Sequence, residues 1–162
     1  MEVGVNRGDR TLELDPQAPV SAVAETRIAA PADVAWSTLA DLNTWPDWNP
    51  DVEAMRHNGR VEPGSRFRWK AGGLSIASRF VDVVRPDLLS WTGRALGLRA
   101  AHRWTFTEVD GGTVVRTEET FDGLLTRIMP GKLRATLATS LEHALEALGR
   151  ESERRARARG RD

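Results

Sequence analysis

Two residues on neighbouring stretches of alternating sequence have the chemistry to move a proton. His102 lies in the run Arg99 to Val109, where it shares a face with Trp104 and Phe106 while Arg103 and Thr105 take the other. Glu119 lies in the run Thr113 to Phe121, on the face of Val115, Thr117 and Phe121 and opposite Arg116, Glu118 and Thr120. Between the runs stands Asp110-Gly111-Gly112, a turn that makes them a hairpin. A register centred on that turn sets His102 directly opposite Glu119, about 5 Å apart at Cβ, within reach of an imidazole–carboxylate hydrogen bond. As an acid/base dyad, Glu119 would orient the imidazole and hold its tautomer, leaving the other nitrogen to move a proton on a bound carbonyl compound. Enolisation, aldol-type ring closure and loss of water are all open to such a pair. A second reading has the two groups satisfy each other, a backbone group or trapped water, and merely position a ligand. Either way a buried ion pair costs desolvation and needs a reason.

Other chemistries find little support. The 162 residues include no Cys, which removes disulfides and thiolate nucleophiles together. The three His, at 57, 102 and 143, are scattered and form no metal-binding spacing, so no metal is expected. Gly72-Gly73 and Gly111-Gly112 read as hairpin turns and not phosphate loops, so no nucleotide cofactor is expected and the cofactor expectation is none. With 23 basic and 23 acidic residues the net charge is zero, and no global field draws nucleic acid. The first residues lack the apolar core of a signal peptide, and no run approaches the roughly 18 apolar residues of a membrane span, so a cytoplasmic location is expected. Arg7-Gly8-Asp9 matches the integrin-binding tripeptide and is read as chance. His57, beside the Asn58-Gly59 turn, and His143, off the leucine stripe of the last helix, are expected at the surface.

The elements that must position these groups follow from periodicity. Residues 1–19 read as a loose arm able to add one short strand, and 20–150 as the domain. Val20 to Ile28 alternates as a strand. Ala30-Pro31 stops it, and Val34, Ala35, Trp36, Leu39 and Leu42 give a short helix a buried stripe. Trp45-Pro46-Asp47-Trp48-Asn49-Pro50 predicts a tight helical turn with an extended exit. Five further strands before Thr113 to Phe121, each bounded by Gly or Pro turn signals, complete a set of seven. After Pro130-Gly131, Leu133, Leu137, Leu141, Ala144, Leu145 and Leu148 share one helix face, and the charged stretch 151–162 is expected to fray into solvent. The arginine-rich run Arg154 to Arg161 is read as that solvated end. This is an α+β domain: a seven-stranded curved antiparallel sheet gripping a long C-terminal helix, with two short helices after the first strand. A curved sheet cannot meet one helix across its full width, which leaves a hollow for a small hydrophobic molecule.

The same organisation resembles the START-like, or SRPBCC, superfamily and its polyketide cyclase/dehydrase branch over about Val20 to Arg150. The residues that carry the resemblance are Ala30-Pro31-Ala32-Asp33-Val34-Ala35-Trp36, the Trp45 to Pro50 turn, Phe67-Arg68-Trp69-Lys70, Trp91-Thr92-Gly93, His102-Arg103-Trp104-Thr105-Phe106, and Gly111-Gly112-Thr113 through Thr117-Glu118-Glu119. The resemblance implies a helix-grip fold with an internal cavity for lipids, polyketides, hormones or other apolar molecules. It implies no single chemistry, because the superfamily holds cyclases, carriers and receptors alike. A natural-product cyclase or dehydratase and a non-catalytic carrier are both admissible, as monomer or homodimer.

Alternation supplies the expected walls. Phe67, Trp69, Trp104, Phe106, Val115 and Phe121 line the hollow, and Leu137 and Leu141 close it from the helix. Trp69, Trp91 and Trp104 offer planes to stack on a ring system, or fill the core. Trp48, with Trp45, gates the mouth or anchors its turn. Ser78 and Thr117 bind a ligand oxygen or satisfy a neighbour, and Arg79 and Arg94 either reach the rim or are solvated. Asn49, before Pro50, is expected to shape its turn. No exposed apolar patch can be read.

Overall fold

The computed structural model describes residues 11–161. The Arg7-Gly8-Asp9 triplet and the first part of the expected arm lie outside them. Thr11 to Pro19 adds no strand; it runs over the outer sheet surface, where the Leu12 amide donates to Asp82 at 2.8 Å.

Seven strands form one antiparallel sheet in the order β1-β7-β6-β5-β4-β3-β2. They are β1 (Val20–Ile28), β2 (Val52–Arg56), β3 (Arg66–Ala71), β4 (Leu74–Val84), β5 (Leu88–Ala95), β6 (Leu98–Val109) and β7 (Gly112–Gly123). A longer loop, residues 57–65, joins β2 to β3, short hairpins join β3 through β7 in sequence, and β1 closes the far edge by pairing with β7 from Val20↔Phe121 to Ile28↔Thr113. Register shifts within β2–β3 and β4–β5 help the sheet curl.

Between β1 and β2 lie α1 (Ala32–Ala40), a 3₁₀ turn (Leu42–Thr44) and α2 (Trp45–Trp48). Pro31 precedes the first turn of α1, and Val34, Ala35, Trp36 and Leu39 bury the face that the sequence pattern marks. The helical turn at Trp45 is anchored rather than free: its indole N–H donates to the Leu39 carbonyl at 2.8 Å, while Trp48 donates to Thr44 Oγ1 at 3.1 Å.

After β7 comes α3 (Leu124–Ile128), which the sequence pattern does not reveal, and then α4 (Pro130–Arg159). The expected fraying after Arg150 does not occur. Ser152 is fully buried and Ala156 packs on the core, so small residues carry the buried stripe on through a charged stretch. Arg155 clamps this end, bonding Glu151 at 2.7 Å, Asp41 at 3.1 Å and Thr44 at 3.1 Å, and the Ala29 amide donates to Glu153. Arg154 and Arg155 hold the Glu151 carboxyl down at about 2.

Packing divides along α4. Its second half, through Leu145 and Leu148, joins the main core with α1 and the aromatic residues of β3 to β6. Its first half buries only Leu137 and Leu141, against Val20 at the sheet edge. The space beside that first half is the candidate site.

Candidate functional site

Antiparallel pairing sorts the inward side chains into rows that cross the sheet. One row is Phe80, Trp91, His102, Glu119 and Ala22. On one side of it lies Leu89, Trp104, Thr117 and Ala24; on the other lies Ser78, Gly93, Ala100, Phe121 and Val20. Gly93 and Ala100 are too small to fill the latter row, and a hollow opens there. A Cβ on Gly93 would come 3.3 Å from Ser78 Oγ and 3.3 Å from Ile76, so this glycine sets the wall.

The cavity has a volume of about 870 Å³, enough for a polycyclic small molecule. His102, Trp91, Trp104 and Glu119 form its inner end, and Trp69, Ser78 and Phe121 its sides. Leu137 and Leu141 cover it from α4, with Trp48 beside them. Ten of the expected site residues are thus brought together.

Four are not. Phe67 packs against Trp45, Phe80 and Trp91, with ring centroids 4.7 Å from Phe80 and 5.9 Å from Trp91, and so belongs to the aromatic core. Phe106 and Val115 face inward one row deeper, beneath the packed half of the fold. Thr117 is buried behind His102, bonded to it at 2.7 Å. Alternation gives the face of a side chain but not its depth along the strand. Of the residues with two readings, Ser78 accepts the Trp69 indole N–H at 3.1 Å, Arg94 reaches the rim, and Arg79 does not line the cavity.

The central pair has the expected register and a different charge state. His102 and Glu119 are directly paired, with Nδ1 3.4 Å from Oε2. The separation meets an ion-pair distance, but the alignment makes no hydrogen bond, and Nδ1 is buried with no partner. The missing hydrogen bond decides more than the distance does, because neither group is charged near neutral pH. Burial pushes the Glu119 carboxyl up to about 8 and the His102 imidazole down to about 3. The 13% of the Glu119 side chain that remains exposed faces the cavity. Nε2 and Thr117 Oγ1 share a hydrogen bond at 2.7 Å, and the tautomer that leaves the Nδ1 lone pair facing the protonated acid is the one in which Nε2–H donates. The expected buried ion pair is therefore an imidazole beside a carboxylic acid, which lowers the desolvation cost.

Trp104 adds a third polar atom. The ring lines the inner end of the cavity, while its indole N–H is buried without a partner and closed off from the open space. At the rim, His143 Nδ1 meets Asp51 at 3.1 Å, joining α4 to the start of β2. Nothing in the sequence pattern singles out Asp51, and His143, exposed as expected, borders the opening. Asn49 is buried and shapes its turn, Oδ1 accepting the Asp51 amide at 3.1 Å, while also lining the cavity. His57 is half-buried, edge-on to Phe80, rather than exposed.

The sequence profile described as polyketide cyclase / dehydrase and lipid transport matches residues 19–153. The chain belongs to that family. No curated protein is similar enough to match. Solved structures of the family's fold are similar at low identity. A START superfamily protein from Mycobacterium smegmatis has a TM-score of 0.70 at 17% identity, over 85% of this chain and 97% of that one. The Zhui aromatase/cyclase from Streptomyces sp. R1128 has a TM-score of 0.70 at 21% identity, over 86% and 97%. A hypothetical protein from Helicobacter pylori has a TM-score of 0.76 at 15% identity, over 93% and 99%. These likenesses establish the START-like helix-grip fold. Within the family, a cavity of this lining suits an apolar guest. No helix among the described residues is long and apolar enough to cross a membrane.

Proposed function

We propose that this family member binds a neutral, largely apolar carbonyl compound in the cavity, in the cytoplasm, and catalyses its cyclisation or dehydration with Glu119 as acid and His102 as base. The observation that carries the reading is the uncharged Glu119–His102 pair beside the unpartnered Trp104 N–H, all at the inner end of a cavity whose walls are mostly apolar and whose other charged residues, Asp51, Glu53, Arg94 and His143, are partly or fully exposed. Glu119 and Trp104 both donate hydrogen bonds, so a carbonyl oxygen fits between them, and an ammonium group does not. Trp104 stands diagonally across the ladder from Glu119, roughly 7–8 Å apart in the backbone, and because the Trp104 N–H and His102 Nδ1 are enclosed in the free protein, the reading requires a small turn of both rings as the guest enters.

In the first step Glu119 would deliver its proton to the carbonyl oxygen while His102 Nδ1 removes one from the adjacent carbon. The products are the enol, a carboxylate and an imidazolium, and the two protein charges then stabilise each other. Attack of the enol carbon on a second carbonyl of the same molecule closes a ring; as the first C=O re-forms, its O–H proton returns to the Glu119 carboxylate, and His102 gives its proton to the new alkoxide, so both partners are restored. Loss of water would follow as His102 takes the remaining proton from the carbon between the carbonyl and the new hydroxyl and Glu119 protonates the departing hydroxyl.

The test uses a linear poly-β-ketone thioester mimic and the isosteric Glu119→Gln variant. The introduced amide still donates a hydrogen bond but cannot transfer a proton, so turnover is expected to fall about 10²–10⁴-fold while binding of the cyclised product persists. Full-rate turnover by the variant would sink the mechanism. A carrier reading draws on the family description, which includes lipid transport, and on a pair that is already uncharged before any ligand binds. It predicts a chemically unchanged guest in native mass spectra of freshly purified protein, and no turnover in either protein.

A further inference from the structure

Three aliphatic side chains project from one end of the molecule. Leu96 tips the β5–β6 hairpin at 75% exposure, and Leu124 and Ile128, one turn apart on α3, are 69% and 64% exposed. The hairpin and α3 are held together: a Cβ on Gly123 would fall 2.1 Å from the Gly97 carbonyl oxygen, so only glycine lets β7 end against that tip.

Leu96 is misplaced by two physical criteria at once. Its φ is +42° and that of Gly97 is +73°, the left-handed pair of a two-residue hairpin turn in which Asn and Gly are preferred. A leucine there strains the backbone and leaves a large apolar side chain in water. Strain kept at such a point directs attention to function.

Cations surround these residues. Arg94 on β5, Arg127 on α3, and Lys132 and Arg134 on α4 form no ion pair among the described residues, and Asp122, the one acid in 94–99 and 122–141, is engaged by Arg99 at 2.6 Å. Arg94, Ala95, Leu98 and Leu133 also line the cavity, so this surface adjoins the site.

We propose that this end docks on an anionic lipid bilayer, with Leu96, Leu124 and Ile128 among the acyl chains and the four cations at headgroup phosphates. The apolar residues are aliphatic and sit on protruding tips, unlike the aromatic-rich centres of protein interfaces. Lys and Arg stems can lie along apolar surface while their charges stay in water. The docking surface stands on its own; that it delivers an apolar guest to the cavity rests on the proposed function.

The experiment is flotation of the full chain with phosphatidylcholine vesicles, with and without phosphatidylserine. Binding is expected only with phosphatidylserine, to weaken with salt, and to drop several-fold in Lys132→Glu and Arg127→Glu. Leu96→Asn is the decisive variant. It is expected to lower vesicle binding about tenfold while raising the melting temperature by about 2–4 °C, because asparagine accepts the left-handed turn. A purely structural Leu96 would give the opposite pair of results. Wild-type protein that ignores phosphatidylserine vesicles, flotation unchanged in Leu96→Asn, or capture of an acidic protein in place of vesicles would each overturn the proposal. Fluorescence of phenylnaphthylamine in the cavity is expected to be the same in both proteins, which separates failure of docking from failure of the binding site.

Discussion

From the β6–β7 turn toward the β5–β6 tip, the inward rows change from Phe106 and Val115, through Leu89, Trp104 and Thr117, to Gly93 and Ala100. The helix above changes in step: Leu145 and Leu148 meet the large residues, whereas the stretch from Leu133 to Ala144 stands over the small ones. One end of the grip is thus packed and the other hollow, on the same strands and the same helix. The packed end supplies the stability that lets the open end hold polar groups without partners. His102, Glu119 and Trp104 lie where the two ends meet, close enough to the core to be desolvated and close enough to the cavity to face a guest.

The largest expected effect contrasts the two ends directly. Phe80→Ala, in the packed aromatic cluster, should cost about 3–5 kcal/mol in denaturant unfolding, whereas Leu133→Ala, at the cavity edge, should cost about 1 kcal/mol or less. Equal losses would mean that the cavity collapses on truncation and that the division between ends is illusory.

The junction has a pH signature whose sign follows from the two shifts. Glu119 keeps its proton to about 8 when folded and loses it near the ordinary carboxylate value of 4.5 when unfolded, so its contribution to stability is lost as pH rises through that window. His102 is neutral above about 3 when folded but takes a proton below 6.5 when unfolded, so its contribution is lost as pH falls through that window. The two slopes cancel between 4.5 and 6.5. From pH 6.5 to 8 only Glu119 acts, and stability should fall by roughly 2 kcal/mol. Glu119→Gln should flatten that fall. A wild-type curve already flat there would show that the carboxyl is ionised, and the acid role would go with it.

Removing residues 151–162 should cost about 1–2 kcal/mol, since it strips Ser152, Ala156 and the Arg155 clamp from the packed end, mostly through partly exposed contacts. A truncated chain with unchanged melting would restore the view of that stretch as a solvated tail.

What the sequence makes legible is governed by range. The hairpin register is local, set by a short turn, and so the juxtaposition of His102 and Glu119 can be read from spacing alone. Their charge state depends on burial from every side, and alternation cannot report it. Phe67, Phe106 and Val115 have the right face but the wrong depth, because depth depends on which helix lies above each row. The small pair Gly93 and Ala100 was the visible sign of the hollow, since two facing small residues cannot fill a row. Helix α3 is too short to show a period. The charged stretch after Arg150 hides Ser152 and Ala156, whose small side chains look neutral in any hydrophobic count. Leu96 reads as an ordinary turn neighbour until its backbone angle and exposure are known.

The smallest expected change in stability is also the sharpest probe of the junction. Trp104→Phe keeps an aromatic ring beside His102, whose ring centroid lies 5.3 Å from the native indole, and removes the indole N–H together with part of the bicyclic ring. Because that N–H has no partner, the substitution should leave stability within about 1 kcal/mol, and deleting an unsatisfied donor offsets part of the lost ring volume. A ligand carbonyl held between Trp104 and Glu119 would lose one of its two donors, so affinity for a neutral ketone should fall by about 3–10-fold. Affinity for a pure hydrocarbon of similar shape should not move. Calorimetric titration of both guests against both proteins gives the comparison, and equal losses for ketone and hydrocarbon would show that Trp104 serves the cavity by shape alone.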